Sequence, residues 1–155
     1  MAKVPVDPTS YTFIDFGSGK GAVLFYASEL PFKHILGVEF AEELDAAAKA
    51  NIKAFKNPKR RCASIEAVCA DAAAHPLPEG PWVLFFNSPF EIPVWEGTLD
   101  NIARAGHGRG PSYLVHATYY LFPAVAAYVE SRPELKLIHQ DGLFQVFEIK
   151  PPAAA

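Results

Sequence analysis

A doubly wound α/β domain is predicted from three features of the 155-residue sequence. Short apolar runs alternate with helix-forming segments, a pattern that requires a parallel sheet with helices on both faces. The polar residues and glycines that interrupt this pattern fall mainly at the ends of the apolar runs. The last two apolar runs are joined by Gln140-Asp141-Gly142, a tight connection that reads as an antiparallel hairpin. The architecture expected is a three-layer αβα sandwich around a mostly parallel, seven-stranded sheet closed by that hairpin.

The elements follow in order. Residues 1–10 hold two prolines and no periodicity, and read as an extended lead-in. Tyr11 to Phe16 is a short buried strand running into glycines. Lys20 to Leu30 is a helix stopped by Pro31. His34 to Phe40 is a second strand, tipped by an acid. Ala41 to Phe55 is the clearest helix, with Leu44, Ala47, Ala48, Ile52 and Phe55 at helical spacing and Asn57-Pro58 as its stop. Ile65 to Ala70 is a third strand, followed by Asp71 and a loop marked by Pro76, Pro78, Gly80 and Pro81. Trp82 to Phe86 is an unbroken apolar run, as a central parallel strand needs. Residues 93–104 are helical, Tyr113 to Ala117 is a fifth strand, and Pro123 to Ser131 is a helix with proline at a tolerated first-turn position. Leu135 to His139 and Leu143 to Ile149 are the hairpin strands. One domain over 11–150 is expected, with 151–155 as a tail.

Composition narrows the class. Half the residues are hydrophobic and 13% aromatic, which fits a packed globule and not a disordered chain. A formal charge of −3 lacks the positive field of a dedicated nucleic-acid binder. Cys62 and Cys69 are too few for a disulfide scaffold and are expected as buried free thiols, in a reducing, cytoplasmic setting. No apolar h-region begins the sequence, and no apolar run approaches the roughly 20 residues that span a bilayer. His34, His75, His107, His116 and His139 show no metal-ligand spacing, with each other or with the cysteines. The basic run Lys53, Lys56, Lys59, Arg60 and Arg61 complements the dipole at the end of the second helix; phosphate contact is its alternative reading.

The chemistry concentrates at the first strand-to-helix turn, Asp15-Phe16-Gly17-Ser18-Gly19-Lys20-Gly21. Glycines there permit a sharp turn and let a ligand approach bare peptide, with helix amides pointing at it. Gly17-x-Gly19-x-x-Ala22 also satisfies a dinucleotide pattern, so the glycines alone leave the cofactor open. Glu39 ends the second strand about 20 residues later, where a carboxylate can accept from both ribose hydroxyls of an adenosine.

Asp15 to Gly21 together with Gly37-Val38-Glu39-Phe40 resembles the first two motifs of class I S-adenosylmethionine-dependent methyltransferases. The resemblance spans about residues 11–150 and implies S-adenosylmethionine as cofactor. It implies that Asp15 helps position the methionine end, that Phe16, Gly17, Ser18, Gly19 and Gly21 form the loop, and that Glu39 and Phe40 meet the ribose side. It places Asp71 and Ala72 near the adenine amino group. Asn87-Ser88-Pro89-Phe90 resembles the Asn-Pro-Pro-Tyr/Phe motif of methyltransferases acting on planar amino groups, with Ser88 where that motif has proline. It implies that Asn87 and the Ser88 carbonyl accept from the target amine while Phe90 stacks on it. Asn-x-aromatic loops also occur in lysine methyltransferases outside the SET class, so a protein lysine is the rival acceptor. His116, Tyr119 and Tyr120 are expected on the substrate side.

Members of this class usually carry substrate-gripping helices before the first strand, and here only residues 1–10 precede it. The expectation is a minimal or N-terminally truncated chain, or one whose substrate site a partner completes. The activity expected is methyl transfer to an amino group on nucleic acid, protein or a small molecule, with no membrane partner. A non-catalytic cofactor-binding module and a nicotinamide-dependent oxidoreductase domain are the alternatives.

Overall fold

The computed structural model describes residues 3–87, 90–105, 110–117 and 123–150. Seven strands form one sheet: β1 (Thr12–Phe16), β2 (His34–Glu39), β3 (Ile65–Cys69), β4 (Trp82–Phe86), β5 (Ser112–Ala117), β6 (Leu135–Gln140) and β7 (Phe144–Ile149). Their order is β3-β2-β1-β4-β5-β7-β6. The first five run parallel, and β7 pairs antiparallel with both β5 and β6. The strand order reverses between β1 and β4, so the crevice beyond their carboxyl ends is where an open α/β sheet binds its ligand. The expected sheet and hairpin are therefore present.

Alternation along the strands divides the core in two. Phe13, Ile35, Val83, Tyr113, Val115 and Val146 face one side, with Leu24 and Ala27 of α1 (Ala22–Ala27). Partly buried Ile52 of α2 (Glu42–Ala54) joins them. Ile14, Phe16, Leu36, Leu84, Phe86 and Leu114 face the other, under α3 (Ile92–Arg104) and α4 (Pro123–Ser131). In α3 the buried residues Trp95, Thr98, Leu99 and Ile102 recur at helical spacing and make its inner stripe.

Three details depart from the sequence reading. The first helix is six residues long, beginning only after Gly21, which holds a left-handed φ of 89° as the cap. Lys20 and Gly21 thus belong to the turn. The lead-in is not wholly extended: Pro8–Ser10 form a 3₁₀ turn, started by the Asp7 carboxylate accepting from Thr9 N at 3.1 Å. Cys62 is buried, but Cys69 is exposed, because it ends the edge strand β3; both are free thiols. On the α1 side, β4, β5 and β7 also border an apolar groove of about 270 Å³, which Lys3 and Val4 help line.

Candidate active site

The tips of β1, β2 and β3 meet at a cavity of about 560 Å³ lined by Gly17, Gly19, Val38, Glu39, Phe40, Leu44, Ala70, Asp71, Ala72, Phe90 and Val94. That volume lies in the range of small-molecule sites. Each lining segment arrives there for a physical reason. Gly17 and Gly19 adopt left-handed φ values of 74° and 54°, which side chains rarely tolerate. A Cβ on Gly19 would meet nothing within 4 Å, so the loop leaves open space above itself. Gly37 does the opposite beneath it. A Cβ there would lie 2.7 Å from Ser18 Oγ, so the bare position on β2 is what lets the loop settle onto the sheet.

The loop's own amides are taken up within the protein. Gly17 N and Ser18 N both donate to Val38 O, at 2.8 and 3.2 Å, and Gly21 N donates to Ser18 O. Gly19 N donates to Glu39 Oε2 at 2.8 Å, and Ala41 N donates to Glu39 Oε1 at 3.0 Å. Glu39 therefore ties the glycine loop to the start of α2. Each carboxylate oxygen has a second lone pair, so this does not exhaust its capacity to accept.

Asp15 is 1% exposed, and its Oδ1 has no hydrogen-bond partner. Burial, and then the nearby charge of Glu39, pushes its carboxyl up to about 8. The folded chain thus holds this proton far above the point where an unfolded aspartate, near pH 3.9, releases it. The stabilisation is full below that lower value and is lost as pH rises through about 8. Urea unfolding should show the free protein weakening over this window, by up to about 1.4 kcal/mol per pH unit, and Asp15→Asn should remove that component. Equal pH slopes in the two proteins would refute the assignment.

Other expected residues fall into place unequally. The Phe16 ring is fully buried and stacks on Phe86 at 4.9 Å, so only its backbone is at the strand tip. Phe40 is 77% exposed beside the cavity. Asp71 caps its own loop, accepting from Ala73 N at 2.9 Å. Asn87 follows Phe86, whose register partner is Phe16, so it begins the segment beyond the β1–β4 seam; it does not line the cavity. Phe90 lines the cavity but also packs edge-on to Phe86 and Trp95. Ser88, Pro89, His107, Tyr119 and Tyr120 lie outside the described residues. His116 is buried at the end of β5, its Nδ1 3.3 Å from Gln145 Oε1 and its ring edge-on to Trp95; burial lowers its basicity. It does not line the cavity. The basic run starts at the carboxyl end of α2, which runs back from the β2 tip, so it sits at the pole away from the cavity.

The sequence reading missed Leu44, Ala70 and Val94, apolar lining residues that carry no motif. It also missed Asn101 of α3. Its Nδ2 donates to Ala72 O at 3.1 Å and His75 O at 2.8 Å, clamping the Asp71 loop to the helix. A Cβ on Gly97 would lie 2.9 Å from Ala73 Cβ, so close approach of the same helix also holds that loop. Among the described residues no group of three or more His, Cys, Asp or Glu could hold a metal ion, and no helix is long and apolar enough to cross a membrane.

Comparison with known proteins gives the family that the glycines alone left open. A family described as "Methyltransferase domain" matches residues 14–111, which contain the loop, Glu39, Asp71 and Asn87. The chain belongs to this family. Its fold and motifs are those of class I methyltransferases, whose cofactor is S-adenosylmethionine. Among solved structures, it is similar to a chain of the Haloferax volcanii complex containing the Trm112 methyltransferase activator. The TM-score there is 0.72 and the identity 15%, over 97% of this chain and 86% of that one. It is similar to a TehB-like SAM-dependent methyltransferase from Corynebacterium glutamicum, with a TM-score of 0.60 and 19% identity over 97% and 83% of the two chains. Magnesium protoporphyrin IX methyltransferase from Synechocystis with bound SAM is a third, with a TM-score of 0.61 and 8% identity over 91% and 70%. The comparison with curated proteins returned no match.

The cavity suits that cofactor. It joins a carboxylate with spare acceptor capacity, a glycine loop with open space above Gly19 and an apolar slot between Phe40, Leu44, Ala70 and Val94.

Proposed function

We propose that this methyltransferase transfers the methyl group to an amino nitrogen at the mouth of the β1–β4 seam. What supports the reading is that Asn87 directly follows β4, whose last residue Phe86 is in register with Phe16, the residue before the glycine loop. When bound, S-adenosylmethionine supplies a methyl group on a good leaving group, so the chain's task is to aim the nucleophile and accept its protons. In this reading Glu39 holds the ribose hydroxyls, Asp71 and Ala72 face the adenine edge, and Phe40 and Val94 cover the base. Gly17, Ser18 and Gly19 give the methionine end room, and Asp15 offsets its positive charge. Asn87 accepts from the target amine, and Phe90 borders it.

The neighbours' own acceptors belong to them, and the acceptor here is an open chemical question that a pooled assay can answer. Methyl-labelled cofactor should be incubated with small amines, lysine peptides and nucleic acid, and the products read by mass spectrometry. Label should appear on nitrogen, and Asn87→Ala should stop transfer while still binding S-adenosylhomocysteine. Label on oxygen or carbon, or undiminished transfer by the variant, would sink the amine reading. Membership of the Haloferax neighbour in a complex with an activator supports a second element of the proposal, that a partner helps complete the acceptor side.

A further inference from the structure

Six of the chain's 14 lysines and arginines gather at the pole opposite the cavity. Lys33 immediately precedes β2, Lys53 lies in the last turn of α2, Lys56 follows that helix, and Lys59, Arg60 and Arg61 occupy the loop leading to β3. β2 and β3 run parallel and their carboxyl ends border the cavity, so these cations stand at the amino ends of the same two strands. All of them are exposed. Among the described residues none of them makes an ion pair, whereas Lys49, Arg132 and Lys136 each do. The acids around them are engaged by other residues. Asp7 accepts from Thr9, Glu29 accepts from the Asn57 amide, and Glu66 stands 3.7 Å from His34. The net charge of −3 thus conceals a separation, with Glu39, Glu42, Glu43 and Asp71 at the other pole.

The helix dipole accounts for little of this. Its field fades within the last turn, which brings it to Lys53 and Lys56 but not to Lys33, Lys59, Arg60 or Arg61. The loop is fastened by its backbone instead. Asn57 Oδ1 accepts from Lys59 N at 2.9 Å, and Asn57 O accepts from Arg60 N at 3.0 Å. Ser28 O accepts from Arg61 N at 2.7 Å and from Cys62 N at 3.2 Å. The main chain is therefore held while the charged side chains are left to solvent. Like charges gathered in this way repel one another, and an arriving polyanion relieves that repulsion.

We propose that this pole is a docking surface for the phosphodiester backbone of a nucleic acid. Backbone contact needs cations and no apolar centre. A protein partner would be met by an apolar or aromatic core, and a lipid surface by apolar side chains set among the cations. The large exposed apolar residues lie elsewhere: Tyr26 on the α1-side groove, Phe40 and Val94 at the cavity, and Leu137, Ile138 and Leu143 on the terminal hairpin. The 13 residues of α2 separate this surface from the cavity by about 20 Å. It therefore anchors a polynucleotide at a distance and does not present the group to be methylated, and the proposal is independent of the amine reading.

Fluorescence anisotropy of the full chain with a labelled RNA of about 20 nucleotides, and with the DNA duplex of the same sequence, tests it between about 50 and 200 mM salt. Log affinity should fall linearly with log salt, with a slope of about −3 to −5 for four to six contacted phosphates. Either polynucleotide binding in this way supports the proposal, and the tighter one names the source. Changing Lys59, Arg60 and Arg61 together to Gln should weaken binding at least tenfold at about 100 mM salt and reduce the slope by about 2 to 3. The same change at Lys3, Lys136 and Lys150 removes equal charge elsewhere and should leave the slope as it was. Equal losses in the two triple variants, or no salt-dependent binding by the natural chain, overturn the proposal. So does tighter binding of polyglutamate, or of vesicles of phosphatidylserine and phosphatidylcholine, than of either polynucleotide. If the loop variant does not fold, acetylation of the natural chain with bound RNA decides, read by mass spectrometry. Protection of Lys53, Lys56 and Lys59 but not of Lys136 and Lys150 supports the proposal, and equal protection ends it. No readout here involves S-adenosylmethionine, so failure would leave the cofactor reading standing.

Discussion

Replacing Glu39 with alanine should weaken S-adenosylmethionine binding by about 100-fold or more, the largest loss expected from any single site residue. Two effects add. The carboxylate is the acceptor for Gly19 N at 2.8 Å and Ala41 N at 3.0 Å, so its removal frees the glycine loop from the start of α2 and leaves two backbone donors to find water. It also removes the acceptor proposed for the ribose hydroxyls, and a charge-assisted hydrogen bond is worth about twice a neutral one. Glu39→Gln separates the two. The amide keeps one oxygen, so one tie to the loop survives, but its NH₂ group cannot accept from the second donor. An intermediate loss is expected, about tenfold, with thermal stability close to that of the natural chain. Titration calorimetry against S-adenosylhomocysteine measures both, and binding unchanged by Glu39→Ala would remove Glu39 from the site.

That prediction was half legible in the sequence. A carboxylate about 20 residues past a glycine turn marks the ribose side of a nucleoside site. Its second job was not, because it depends on the conformation of the turn. Nothing in Gly17-Ser18-Gly19 says that its amides will fold back onto Val38 O and Glu39 instead of facing outward. The fold was legible because it is set by repeated features. Apolar runs of strand length, each followed by helix formers, leave few topologies once right-handed crossovers are required. The first helix was overread because Lys20 and Ala22 are good helix formers, whereas the left-handed turn at Gly21 decides where the helix starts. Cys69 was expected inside because its run is apolar; that it lies on an edge strand is a fact of strand order, which local pattern does not carry. The apolar lining followed the same logic. Leu44 and Val94 sit on different helices and become neighbours of one cavity only when the sheet brings the helices' first turns to its rim.

Asp15 shows what residue identity alone can mislead about. As a motif residue it reads as a negative charge waiting for a cation. In the fold it is shut into the sheet beside another acid, and that changes its protonation and with it the sign of the pH dependence. The glycine loop has a matching lesson. Gly37, unremarked beside the motif residues, is what makes room for Ser18 and hence for the loop's position.

Trp95→Ala should cost about 3–5 kcal/mol of stability and lower the melting temperature by about 6–20 °C. The indole is fully buried at the centre of the core beneath the β4 tip. It stacks on Phe86 at 4.3 Å and meets Phe90 and His116 edge-on, at 6.0 and 5.2 Å. Its removal leaves a cavity that the neighbouring β4 and β5 cannot close without moving. Since Phe86 immediately precedes Asn87, the change should also loosen the proposed acceptor site more than the cofactor site, which is built on β1, β2 and β3. A second variant tests the packing against the polarity of the same residue. Trp95 Nε1 is buried with no partner among the described residues, an arrangement that costs about 1–3 kcal/mol. Trp95→Phe keeps most of the stacking surface and removes that orphaned donor, so its lost volume is offset and the net change should stay below about 1.5 kcal/mol. Chemical unfolding of the two variants decides between the terms. A phenylalanine variant as unstable as the alanine one would mean that the indole N–H is satisfied after all, and that His116 and Trp95 are joined by more than ring contact.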